Sequence, residues 1–206
     1  MLEKERQKAK GEIQKNIAEF SGETRWKRTP HSSVIEMGTK FCNELIDLTE
    51  TLDQENKISH VSLFSNVVLV LVAETSAYEG ISDDELEAFE KLFDELRVLK
   101  DEFLKNGLTD YMFDKIMYIR ELFLTNTVCR EDYDCKYRQG MPFPNFVDLY
   151  EIVHKINVNW DNLVKDKDFR RKKVDFFEFR HFDCTDTGKE REFAREFLNM
   201  LDEILG

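Results

Sequence analysis

Residues 60–73 read HVSLFSNVVLVLVA, and the fold turns on whether this run is a helix or a strand. Val61, Leu63, Phe64, Val67, Val68, Leu69, Val70, Leu71 and Val72 put apolar groups on every side of a helix. A helix apolar all round belongs at the centre of a bundle. A buried strand has the same β-branched composition, and periodicity alone does not separate the two. No second strand candidate stands nearby to pair with it, so the run reads as a helix, with Ser59 as its expected N-cap. From Val61 to Ala73 it is too short for a membrane span and carries Ser62, Ser65 and Asn66.

Outward from this run, every neighbouring segment reads as an amphipathic helix. Upstream, Val34, Gly38, Phe41, Leu45, Leu48 and Leu52 recur in alternating steps of four and three, the seam of a packed helix. Thr29 and Pro30 supply its expected cap and first-position proline. Before it, residues 4–20 carry a thin apolar line, Ala9, Ile13 and Ile17, on a charged helix expected to be either mobile or docked only at one edge. Downstream, Ser82-Asp83-Asp84-Glu85 is a capping box, and Asn106-Gly107 ends the helix that it starts. The next helix shows Met112, Phe113, Ile116, Ile119 and Phe123 on one side, and the short break makes the two an antiparallel hairpin. Residues 125–144 are the one long irregular stretch. Phe146, Leu149, Val153, Ile156, Trp160 and Leu163 then mark another helix, and residues 189–205 a last one. Residues 174–182 stay open between helix and strand.

The expected fold is all-α, a compact bundle of about six to eight helices, with residues 1–28 a charged N-terminal helix and linker and residues 29–206 the bundle domain. Composition agrees: 3 Pro and 8 Gly in 206 residues leave few turns for a sandwich or barrel, and 17 Phe imply a core rich in rings. The net charge of -12 opposes nucleic acid and anionic membrane and suits a basic partner. The charge is uneven, since residues 1–28 hold eight Lys and Arg against five Glu. The charged N-terminus has no apolar stretch behind it that would make a signal peptide, and free thiols suit a cytoplasmic setting.

Few constellations carry chemistry. Glu151/His154 and Glu178/His181 have the spacing that di-iron bundles use twice. They lack the two further glutamates, so solvated faces are the better reading. Cys129, Cys135, His181 and Cys184 are a candidate zinc set with looser spacing than known ribbons, and no cofactor is expected. Arg25 and His31 stand at an Arg-x₅-His spacing. That spacing resembles the short motif of the HEPN ribonucleases, helical bundles that dimerise to form a composite site. The resemblance makes Arg25 and His31 the only catalytic candidates. Trp26 stands where the motif has a polar residue, and Pro30 interrupts it.

The most unusual segment is 165–182. Lys165, Lys167, Arg170, Arg171, Lys172, Lys173 and Arg180 are interleaved with Phe176, Phe177, Phe179 and Phe182. Cations neutralise phosphates and rings stack on bases. Core-filling phenylalanines beside a solvated helix end are the plainer reading. The leading expectation is therefore a non-enzymatic protein–protein interaction module, whose partner is another protein or a second copy of itself, with no membrane role. The alternative is a nucleic-acid-binding or HEPN-like protein using segment 165–182. A far-ultraviolet circular dichroism spectrum should be dominated by helix; a substantial sheet signal would overturn the reading of 60–73.

Overall fold

The computed structural model describes residues 1–24, 28–77, 80–125, 146–167, 169, 199 and 201–203. Among the described residues the chain forms six α-helices. They are α1 (Leu2–Ser21), α2 (Ser32–Thr51), α3 (Glu55–Glu74), α4 (Asp83–Asn106), α5 (Asp110–Thr125) and α6 (Phe146–Leu163). One turn of 3₁₀ helix, Thr75–Ala77, follows α3, and no strand occurs among these residues. The all-α bundle expected from the sequence is the fold observed.

The run at 60–73 lies inside α3, which begins earlier than Ser59. Gln54 is the N-cap, while the Ser59 hydroxyl bonds back to the Asn56 carbonyl. The preceding turn is helical because it carries Ile58, itself fully buried. At this length α3 is apolar enough to cross a membrane by composition, yet its apolar circumference is taken up by α1, α2, α4 and α5. The α2 helix likewise starts at Ser32, not at Pro30, with His31 as N-cap. The His31 amide donates to Thr75 Oγ1, which ties the entry to α2 against the end of α3. Ser82 and Glu85 do form the reciprocal capping box of α4. Gly107, at φ 75, closes that helix with its amide on the Phe103 carbonyl.

Successive helices alternate in direction, but the most extensive packing joins helices that run the same way, α1 with α3 and α4 with α6. Ser62 Oγ donates to Glu12 and Asn16 Nδ2 to Ser65 Oγ, so α1 and α3 advance together. Ala9, Ile13 and Phe20 of α1 share one core with the other helices, so α1 is packed along its length. Arg6 donates to the carbonyls of Thr49 and Leu52 and so covers the end of α2. Phe41 meets Phe93 at 6.0 Å, and Arg97 grips Glu44 through two bonds of 3.1 and 3.0 Å, joining α2 to α4. Phe64 against Phe103 joins α3 to α4. The α4–α5 connection is tight and antiparallel, but α5 packs chiefly on α3 and α6. Its Lys115, only 3% exposed, reaches back to Glu102 at 2.6 Å.

Phe41, Leu45, Phe64, Val68, Leu71, Phe93, Leu96, Ile116, Val153 and Trp160 are buried as expected, and Phe197 lies outside the described residues. Phe113 departs from the expected face, being 44% exposed, because Met112 and Ile116 take the core side of α5. Cys42 is buried and free, and burial pushes its thiol up to about 12.

Three outcomes follow. Gly38→Ala should destabilise by about 1–3 kcal/mol, since the new Cβ would lie 2.7 Å from Val72 Cγ2 and 3.3 Å from Val68 Cγ1. Gly11→Ala, with nothing within 4 Å, should instead stabilise by up to about 1 kcal/mol in the same urea titration. Cys42 should resist iodoacetamide in the native protein and react on unfolding, read by peptide mass mapping, because alkylation needs the thiolate.

Candidate functional site

The seam between α4 and α6 gathers the one histidine–carboxylate pair found among the described residues. Phe89 packs against Phe146, ring centroids 4.3 Å apart and tilted by 46°, at the start of the seam. Further along, His154 Nδ1 lies 2.6 Å from Glu95 Oε1, and Asn157 Nδ2 donates to Glu95 Oε2 at 2.8 Å. The same amide reaches the Glu95 carbonyl at 3.2 Å, which fixes its orientation. Asn157 Oδ1 is buried with no hydrogen-bond partner among the described residues. Tyr150, one turn before His154, stacks on the imidazole, and Lys91 lies over the Tyr150 ring while paired with Glu87. Glu95 is mostly covered and His154 is 48% exposed, so the pair points one edge of the imidazole at solvent.

This arrangement orients a histidine but supplies it no nucleophile. Among the described residues no serine, threonine or cysteine is hydrogen-bonded to His154. No group of three metal-binding side chains occurs among them either. Glu151, half-exposed, pairs with Lys155 at 2.9 Å, and Lys155 also binds Asp202. Partial burial, and then the Glu151 charge, push the Asp148 carboxyl above its ordinary range.

Beyond the seam, the outer row of α6 runs Val147, Glu151, His154, Val158 and Asp161, and that of α4 runs Glu87, Lys91, Asp94, Val98 and Asp101. Val98 is 57% and Val158 65% exposed. At the far end the Tyr111 hydroxyl of α5 donates to Asp161.

The expected site residues fall unevenly. Lys165 and Lys167 are exposed just past α6. Phe169 is fully buried, edge-on to Trp160 at 6.1 Å and to Tyr118 at 5.7 Å, so this ring fills the core. His31 is the α2 N-cap, half-buried, and its Nδ1 has no hydrogen-bond partner among the described residues. Arg25, Cys129, Cys135, Arg170, Arg171, Lys172, Lys173, Arg180, His181 and Cys184 lie outside the described residues, as does the Glu178 pair. Glu95 and Asn157 were invisible from sequence, because only the α4–α6 register brings them to His154. No family model, curated protein or solved structure matches the chain.

Glu95→Ala should cost about 1–3 kcal/mol of stability in denaturant titration, since it strips the covered partners of Asn157 and His154. Glu90→Ala, on the exposed side of the same helix, should stay within about 0.5 kcal/mol.

Proposed function

We propose that this chain is a non-enzymatic protein–protein interaction module, acting as an adaptor, inhibitor or assembly subunit. The observation that supports it is a bundle that closes its core yet leaves apolar side chains outside. Trp160, Phe64, Phe93 and Phe103 are sealed from solvent, while Val98, Val158, Val147, Phe113 and Tyr111 stay exposed on α4, α5 and α6. Scattered single apolar residues are ordinary on a protein surface, but three of these lie on the outer rows of two adjacent helices. The histidine–carboxylate pair, for its part, serves to join α4 to α6. A buried, free Cys42 agrees with a reducing, cytoplasmic setting.

A second reading rests on the exposed Lys165 and Lys167 at the start of the basic segment, where nucleic acid would bind. The two readings separate on salt. Affinity purification from the source cells should recover a protein complex that survives nuclease. A labelled single-stranded RNA should not bind at about 0.15 M salt, because the negative excess of the chain opposes any polyanion. Salt-sensitive RNA binding that is lost when Arg170, Arg171, Lys172 and Lys173 are all replaced by Glu would overturn the first reading in favour of the second.

A further inference from the structure

We propose that the outer face of α4 and α6 is the docking surface, and that its occupant is a basic amphipathic helix of a partner protein. This rests on the interaction reading above and names its surface and the chemistry of the partner.

The register places the two most exposed of the valines on α4 and α6 at one level. Val98 follows Glu95 by three residues, Val158 follows His154 by four, and Glu95 and His154 are in contact. The two helices run the same way, so their outer rows stay side by side along the seam. Two rows of side chains on adjacent helices make a shallow groove that an apolar helix stripe can enter.

Charge selects the occupant. The α4 sequence holds nine Asp and Glu against four Lys and Arg, and α6 holds three against one. The four cations outside the last turn of α4 are already paired. Lys91 is paired with Glu87, Arg97 with Glu44 and Asp94, Lys100 with Asp101, and Lys155 with Glu151 and Asp202. Arg97 and Lys155 each serve two carboxylates, and Asp161 accepts from the Tyr111 hydroxyl and has no cation among the described ion pairs, so the acids around the valines outnumber the cations that pair with them. An acidic helix would add to that negative excess, whereas lysines and arginines flanking an apolar stripe would offset it.

The test is site-specific photocrosslinking of the full chain in lysate of its source cells. p-Benzoylphenylalanine replaces Val98 or Val158 in turn, with exposed Lys8 on α1 and Lys40 on α2 as controls. The expected result is crosslinking from positions 98 and 158 to one protein, through a segment that is basic and amphipathic at helical spacing. A synthetic peptide of that segment should bind the unmodified chain and weaken between about 0.05 and 0.5 M salt. V98K/V158K should reduce its binding about tenfold or more with the helical spectrum unchanged, as introduced repulsion at a docking face does. An acidic or uncharged segment, a crosslink to a second copy of the chain, or no crosslink from 98 and 158 would each overturn the proposal. Crosslinks confined to positions 8 and 40 would overturn this surface and leave the interaction function standing. No protein captured from any of the four positions, with none in the affinity purification, would end both.

Discussion

The covering of α3 is the constraint on which the structure depends. Its ring of Val61, Phe64, Val67, Val68, Val70, Leu71 and Val72 offers water little beyond the exposed Asn66, so neighbours must stand on nearly all sides. Burying such side chains gains roughly 1.5–3 kcal/mol each, enough to order helices whose own propensity would not. The three polar exceptions within it are placed with care. Ser62 and Ser65 face α1, where Glu12 and Asn16 answer them, so the cost of burying hydroxyls is met within one interface. Gly38 completes the arrangement, because only a missing side chain lets α2 approach Val68 and Val72 so closely.

From that centre the rest of the architecture is a matter of direction. Successive helices reverse, so α1, α3 and α5 point one way and α2, α4 and α6 the other. The largest contacts then form between alternate helices, not sequence neighbours. This puts Glu95 beside His154 and Asn157, residues about sixty positions apart. It also aligns the acid-rich outer side of α4 with the valines of α6. The proposed surface is thus a by-product of how α3 is covered, held by the Phe89–Phe146 contact and the Glu95 network.

Much of the fold was legible because helix periodicity is a local signal. The α4 cap at Ser82 and Glu85, its stop at Gly107, and the buried positions of α6 all follow from residues a few places apart. Boundaries set by tertiary contact were not. Ser59 looks like a cap, but Ile58 must be buried, so the helix runs through it. Pro30 looks like a first turn, but His31 is held by Thr75 from another helix. Phe113 looks like core, yet it stays exposed because Met112 and Ile116 take the core side of α5. The site was less legible still. Helical spacing puts Glu151 and His154 on one solvated face, where Lys155, one turn on from Glu151 and of opposite charge, pairs with it. Nothing local points His154 toward Glu95, since that pairing depends on the register of two helices far apart in sequence.

Asp161 shows how far local preference is set aside on this face. It stands in the last turn of α6, where the partial negative charge of the helix end disfavours an acid, and that turn has no basic residue. A lysine there would suit the helix better by a few tenths of a kcal/mol or more. The chain instead holds the carboxylate with the Tyr111 hydroxyl, contributed by α5, and leaves that ring partly exposed. The start of α4 shows the opposite economy, with Asp83, Asp84 and Glu85 where the dipole favours them. Acids at the favourable end explain themselves through the stability of the helix. An acid at the unfavourable end, one turn from an exposed valine, does not, and conflicts between local preference and the fold gather where a surface serves something other than stability. On that ground the end of the seam at Val98, Val158 and Asp161, more than the start of the helices, is where the proposed cationic partner would gain most.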